Sequence, residues 1–367
     1  MSTKKDKFSI NDKLYMELAL DLANARKGLT GTNPSVGCVI VKNDQIISIG
    51  QTSFKGRPHA EFNAIKNCYE DLKGSKMYVS LEPCCHHGLS APCTSAIINS
   101  KISEVIYSIK DIDKRVRGKT KSILSKKNII VKTGLLSNKI SKFYETYFYN
   151  RKNQLPFVTG KIAISKNDLI YSKGNKRITN TTSDKLTHYL RYKNDSIMIS
   201  YKTLNKDNPR LDCRLRKLKK FSPKRIILDN KLNLSLKSYI SKTANRKNTI
   251  IFYNEAENSK VNIFKKNFTI IKSKINKNKK FDIMIIMKKL YKMGCRNILV
   301  EGGNILTSDF LKKRFFNQFY LFRSPKKISI LNEFKKFEGL NVLNKKYKNK
   351  HKLKSNFGKD NVMLYIK

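Results

Sequence analysis

Two short runs constrain this chain more than any other feature. Pro58-His59-Ala60-Glu61 supplies an imidazole and a carboxylate, and Glu82-Pro83-Cys84 with Pro92-Cys93 supplies two thiols. One His and two Cys suit zinc, and three protein ligands leave the fourth position to water, the arrangement of a catalytic site. Residues two apart on a helix point about 200° away from each other. His59 and Glu61 therefore reach one metal only if their helix meets it end-on, and Pro58 is compatible with a helix start there. Pro92 opens a second helix in the same way, placing Cys93 in a first turn whose dipole favours thiolate. The fold must bring two helix N-termini to one point.

Zinc lowers the pKa of a bound water from ~15.7 to about 7, and a carboxylate that does not bind the metal can carry a proton to a leaving amine. Glu61 has that role by position. The alternative is a closed zinc knuckle with Cys85 or His86 as fourth ligand; a carboxylate two residues from the ligand His favours the open site. Cys85, His86 and His87 read as packing residues around it.

The periodicity predicts α/β architecture in two domains, as 367 residues allow. Leu14, Leu18 and Leu22 mark a helix over 12–27, and 36–41 with 45–49 form a β-hairpin. A helix over 59–69, strand 77–81, the helix opened by Pro92, strand 105–109, a helix near 120–127 and strand 129–133 follow. This predicts a sandwich with helices on both faces of the sheet. A helix over 138–149 leads into the polar run 150–156, taken as the boundary, so the domains are 1–150 and 155–367. The second alternates again, with strands at 157–164, 196–200, 225–228, 249–252 and 297–300, helices at 281–293 and 305–311, and a solvated loop over 272–280.

Seven cysteines, three of them within ten residues, suit metal chemistry in a reducing compartment better than a disulfide framework. No apolar run approaches the ~20 residues a bilayer requires, and no signal core follows Met1. The expectation is a cytoplasmic protein with no membrane partner, compatible with a homo-oligomer. The formal net charge is +50, which suggests a nucleic-acid partner. Residues 1–150 hold 24 Lys/Arg against 13 Asp/Glu, so most of the excess lies in the second domain. There the lysines are scattered among Asn and Ile, as A/T-rich coding produces, without a stripe; no specific nucleic-acid partner is expected. A deaminase acting on nucleic-acid bases and a basic RNA-binding protein with structural zinc are the competing readings.

The His-x-Glu and Pro-Cys pair resembles the cytidine-deaminase superfamily, although the cysteines here are spaced Cys-x8-Cys where Cys-x2-Cys is usual. With Asn33-Pro-Ser-Val-Gly37 and Tyr78-Val-Ser-Leu-Glu-Pro-Cys84, the first domain resembles the bifunctional riboflavin-biosynthesis deaminase/reductase family. The resemblance implies a cytidine-deaminase-like α/β sandwich followed by a dihydrofolate-reductase-like α/β domain. It implies Zn2+ on His59, Cys84 and Cys93, with Glu61 as proton shuttle. Asn33, Asp111 and Asp113 stand where the family holds its pyrimidine ribose phosphate. Leu89 replaces a basic residue and Thr52 stands where a His can occur, leaving His87, Lys55 and Arg57 as candidate charges for the phosphate.

Val300-Glu-Gly-Gly303 ends an apolar strand before a helix, where backbone N–H groups can meet phosphate. Gly160-Lys-Ile-Ala-Ile-Ser165 and the series Arg191, Thr203, Asp207-Asn-Pro209, Leu211, Arg214 resemble the family's NADPH-dependent half. That likeness implies that Asn175, Arg191, Leu211, Arg214 and Glu301 hold substrate. It places Ala163, Arg177, Thr203, Asp207, Asn230 and Gly303 at the cofactor, with Arg177 on its 2′-phosphate. Ser165-Lys-Asn-Asp168 replaces a Ser-Leu-Asp-Gly turn, Arg177 stands where a Trp is usual, and the late Ala-Pro-Lys strand is reduced to Ser324-Pro-Lys326. The implied activities are zinc-dependent deamination of 2,5-diamino-6-ribosylamino-4(3H)-pyrimidinone 5′-phosphate and NADPH-dependent reduction of its ribosyl group to ribityl. A deaminase with a degenerate reductase domain is the variant reading.

Overall fold

The computed structural model describes residues 8–172, 177–330, 333–354 and 356–367, and the chain divides into two compact units, Met1–Gln154 and Leu155–Lys367. The first unit runs α1 (Ile10–Arg26), β1 (Gly37–Lys42), β2 (Gln45–Gln51), α2 (Ala60–Lys66), β3 (Lys76–Leu81), α3 (Cys93–Asn99), β4 (Glu104–Ile109), α4 (Lys119–Ser125), β5 (Ile130–Thr133) and α5 (Ser137–Asn153). Its sheet has the order β2-β1-β3-β4-β5. The β1–β2 hairpin turns at Asn43 and Asp44, with φ of 51° and 58°, a two-residue turn whose twist matches the strands.

Successive residues of a strand face opposite sides, and two glycines use this to seat helices on both faces. A Cβ on Gly37 would lie 1.9 Å from the Ala19 carbonyl oxygen of α1. Gly50, paired with Cys38, faces the other way, and a Cβ there would lie 2.2 Å from the Ala60 oxygen at the start of α2. The approach of α2 to β2 sets where its N-terminus lies.

Two boundaries differ from the sequence reading. α2 ends at Lys66, three residues early, because Asn67 caps it. α5 runs to Asn153, through most of the polar run taken as a linker, and stops at Gln154 with φ of 53°.

The second unit runs β6 (Phe157–Ile164), β7 (Leu169–Ser172), α6 (Thr181–Lys193), β8 (Ser196–Ser200), α7 (Tyr201–Asp207), β9 (Lys224–Leu228), α8 (Tyr239–Lys242), β10 (Thr249–Tyr253), α9 (Asn258–Asn267), β11 (Thr269–Lys272), α10 (Ile283–Lys292), β12 (Asn297–Val300), α11 (Asn304–Lys312), β13 (Gln318–Arg323), β14 (Phe334–Lys336), α12 (Leu340–Lys346), β15 (Asn349–Lys352) and β16 (Asn361–Ile366). Its main sheet has the order β11-β10-β9-β8-β12-β6-β13-β16-β15. The pairings from β11 across to β13 are all parallel, and β16 and β15 add an antiparallel edge. Ile226 and Leu228 pack into one core cluster while Ile227 packs into another. Such a sheet, covered on both faces, gives the continuous apolar runs that made its central strands readable. Strands β13, β15 and β16 were not read, and the 272–280 loop follows a strand, β11, also missed. No helix among the described residues is long and apolar enough to cross a membrane.

Gly37→Ala should destabilise the first unit by about 1–3 kcal/mol, since its methyl meets helix backbone that cannot move aside cheaply. Hydrogen exchange resolved by unit should show protection falling in 8–154 and unchanged beyond 155.

Candidate active site

His59 is the N-cap of α2 and Cys93 the first residue of α3, so both helices meet the same point with their N-termini. Cys84 joins them just past the end of β3. His59 Nδ1 lies 3.5 Å from Cys84 Sγ and 3.4 Å from Cys93 Sγ, and the three ligand atoms all lie within 4.8 Å of one another. Tetrahedral zinc with N and S ligands sets those atoms roughly 3.6 Å apart, so the donors fit zinc in both chemistry and spacing. The Cys93 N–H donates to Cys84 Sγ at 3.3 Å. Hydrogen bonding from Cys93 pulls the Cys84 thiol down to about 4, a ready thiolate.

Glu61 sits two residues into the helix, 3 % exposed. Burial pushes its carboxyl up to about 7, in the range where a group both takes and gives a proton near neutrality. Cys85 turns away, its Sγ 3.5 Å from the Arg115 carbonyl oxygen.

Glu82 is a residue that the sequence reading passed over. Buried at 3 % exposure, its carboxylate accepts from the backbone N–H groups of Asp111, Gly118 and Thr120 at 3.1, 3.0 and 3.3 Å. It ties the strand end carrying Cys84 to the loop after β4. Its place in Glu-Pro-Cys was the available signal, since a carboxylate at a strand end has no packing reason to be buried.

The expected substrate residues of this unit are held by protein groups. Asn33 donates to the Gly56 carbonyl oxygen at 2.9 Å, in the loop before His59. Asp111 accepts from the Tyr147 hydroxyl at 3.1 Å, and Asp113 from Arg115, which holds its carboxyl down at about 2. Thr52 is buried, its hydroxyl accepting from the Val36 N–H, while Leu89 is 91 % exposed. Of the three candidate cations, Arg57 reaches the loop carrying Leu89, donating to the Ser90 hydroxyl.

The second unit has a cavity of about 1180 Å³, above the roughly 300–1,000 Å³ of ordinary ligand pockets. Ala163, Thr203, Asp207, Asn230, Glu301 and Gly303 all line it. They follow, or lie near, the C-terminal ends of parallel strands, where open α/β sheets bind ligands. A Cβ on Gly303 would lie 3.0 Å from Thr203 Oγ1; the bare glycine backbone at the start of α11 leaves room for a phosphate-bearing cofactor.

Four expected residues are placed differently. Arg191 spends its fork on Glu301, at 2.7 and 2.8 Å, and its remaining nitrogen on the Asp212 carbonyl oxygen. Burial raises the Glu301 carboxyl, but Arg191 more than offsets this and holds it below its usual range. Both arms of the Arg191 fork are thus directed at Glu301 in this structure. Leu211 packs inside the core, 2 % exposed. Arg214 pairs with Asp212 on the surface, and Arg177 pairs with Asp184 and is not among the cavity-lining residues. Asn175 lies outside the described residues. Lys161, which the sequence reading did not single out, lines the cavity with Ala163; residues 161 and 163 share a strand face by the period of two.

Residues 9–109 match the family model of the cytidine and deoxycytidylate deaminase zinc-binding region, and residues 160–355 match the RibD C-terminal domain. The chain is similar to riboflavin biosynthesis protein RibD of Aquifex aeolicus, 33 % identical over 361 residues that cover 96 % of this chain and 98 % of that one. It is 32 % identical to RibD of Actinobacillus pleuropneumoniae, over 87 % and 85 % of the two chains. Among solved structures it is similar to a diaminohydroxyphosphoribosylaminopyrimidine deaminase/5-amino-6-(5-phosphoribosylamino)uracil reductase from Thermotoga maritima. That match has a TM-score of 0.80 and 28 % identity, covering 97 % and 98 % of the two chains.

The purified protein should carry one zinc per chain, lost in His59→Ala, Cys84→Ser and Cys93→Ser and kept in Cys85→Ser. Metal analysis decides this, and loss in Cys85→Ser with retention in Cys84→Ser would reverse the ligand assignment.

Proposed function

From the premise that the chain belongs to the RibD family of riboflavin-biosynthesis enzymes, we propose that its deaminase and reductase activities divide between residues 1–150 and 155–367. His59, Cys84 and Cys93 hold zinc in the first part, and Ala163, Thr203, Asp207, Asn230 and Gly303 hold NADPH in the second. The observation that carries the reading is the meeting of three zinc-spaced donors with a buried, non-ligating carboxylate at two helix N-termini.

The first reaction replaces the amine of a diaminopyrimidine ribose phosphate by oxygen. Zinc supplies Lewis-acid activation of water there. Glu61 takes a proton on the side where oxygen is added and returns one to the departing nitrogen, which leaves as ammonia. Its burial excludes competing solvent from that transfer. Glu82 keeps the loop with Asp111 and Asp113 fixed, and those side chains with Asn33 orient the pyrimidine and its sugar. Arg57 supplies the positive charge beside Leu89.

The second reaction reduces the sugar. NADPH supplies the hydride. Glu301, held as a carboxylate by Arg191, lines the cavity with Lys161 from the neighbouring strand, and the two orient the sugar hydroxyls.

We assign no sequence-selective nucleic-acid partner. Scattered lysines neutralise phosphates without reading bases, so RNA should bind weakly and without sequence preference, the affinity falling steeply with salt. A filter-binding series with several RNAs at rising salt measures this, and a preference surviving above physiological salt would revive the nucleic-acid reading.

Glu61→Gln should leave zinc bound and lower ammonia release by about 10⁴-fold, the upper end of the roughly 10²–10⁴-fold that a general acid–base group contributes. The same variant should oxidise NADPH normally when given the deaminated compound. Glu301→Ala and Asp207→Ala should do the opposite. Loss of both steps in Glu61→Gln, with deaminated substrate supplied, would overturn the division of labour.

A further inference from the structure

The cavity of the second unit is asymmetric in charge. Lys161 on β6 and Glu301, just past the end of the adjacent strand β12, both line it. Two strands away, at the end of β9, the lining continues through Asn230 and Lys231, and the segment after β11 folds over this end with Asn278, Lys279 and Lys280. The segment is held in place. Ile275 bridges Phe281, Asn276 donates to the Lys280 carbonyl oxygen at 2.7 Å, and the Asn230 amide donates to the Lys279 carbonyl oxygen at 2.8 Å. Among the described residues, Lys231 and Lys279 have no ion-pair partner. Lys280 reaches only Asp309, at 3.9 Å, and Asp309 is also engaged by Lys313 at 3.1 Å. This end of the cavity presents three ammonium groups, and among the described residues the Asp309 carboxylate, shared with Lys313, is the one ion-pair partner any of them has.

Resting on the NADPH reading above, we infer that Lys231, Lys279 and Lys280 form the site that recognises the 2′-phosphate of the cofactor and so select NADPH over NADH. The orientation follows from the layout. The nicotinamide must reach the sugar beside Glu301, and the diphosphate suits the bare backbone of Gly302 and Gly303. The adenosine then extends toward β9, and its 2′-phosphate is the dianion left to meet the lysines. Arg177, the residue the sequence suggested for this task, is already paired with Asp184.

The test is calorimetric binding of NADPH, NADH and adenosine 2′,5′-bisphosphate to the full-length protein at two salt concentrations. The variants are Lys231→Gln, Lys279→Gln/Lys280→Gln, and all three together, with Lys335→Gln/Lys336→Gln on another part of the rim and Arg177→Gln as comparisons. A lost hydrogen bond to a charged group is worth about tenfold or more in affinity. The triple variant should therefore bind NADPH and the bisphosphate at least about tenfold more weakly, bind NADH unchanged, and show a shallower salt dependence. The Lys335/Lys336 and Arg177 variants should keep the wild-type preference. Unchanged NADPH affinity in the triple variant, an equal loss for NADH, or a selective loss in Arg177→Gln would each overturn the assignment while leaving the reductase reading intact. Wild-type protein that binds neither dinucleotide would overturn both. These lysines are exposed, and retained NADH binding shows directly that the fold survives.

Discussion

A zinc centre built from one imidazole and two thiolates can be assembled only if the backbone delivers all three donors to within a few ångströms of one another, here within 4.8 Å. In this chain that requirement fixes most of the first unit. β3 must end where α2 and α3 begin, so α2 must lie close against the sheet, and Gly50 allows this by leaving no side chain between β2 and Ala60. The same end-on approach places Glu61 two residues beyond the ligand His59, buried yet within reach of the reacting centre. Glu82 completes the arrangement by gathering three backbone N–H groups from the opposite loop. Leaving such donors unpaired in the interior would cost about 1–3 kcal/mol each, so the carboxylate stabilises the loop and positions it together.

The second unit solves a different problem with the same kind of sheet. Seven parallel strands direct their C-terminal ends to one edge, and the cavity forms there because the connecting loops diverge. Among its lining charges, Glu301 is made tolerable by the two-pronged contact from Arg191. Removing either partner would leave an uncompensated buried charge, a loss of about 3–5 kcal/mol. Arg191 is therefore needed to keep Glu301 charged in the site, a task that the sequence pattern alone does not show.

What was legible in the sequence follows from this physics. Metal donors can be read because the chemistry restricts residue type and the end-on helices restrict spacing. The central strands could be read because burial on both faces leaves apolar runs such as Arg225-Ile-Ile-Leu228. Strand β15, Asn349-Lys-His-Lys352, is exposed throughout and has no apolar signal to read. The segment 276–280 looked like any solvated loop, since its lysines are indeed exposed; only the folded chain shows that it turns back to line the cavity. Glu82 lay in view within its motif, but nothing local reveals that its partners lie 29 to 38 residues further on. Polar residues are readable when one another's spacing defines the chemistry, and unreadable when their partners come from distant turns.

The departures in the second half also make sense as one unit rather than as scattered losses. Asp168 stands where the resemblance places Gly and adopts φ of 64°, a conformation that Asp visits more readily than most residues. Its carboxylate accepts from Arg323 at 2.7 Å, at the end of β13. Beside it, Lys166 donates its N–H to the Lys326 carbonyl oxygen and Asn167 pairs with Ile328 through both its donor and its acceptor. The altered turn 165–168 and the shortened segment 324–326 are thus bonded to each other. A glycine turn would be free to move; here the backbone geometry is retained and the freedom is replaced by ionic and amide contacts. The β6 end that carries Lys161 and Ala163 is accordingly held by the very residues that look degenerate in the sequence, which argues for an altered but intact reductase site.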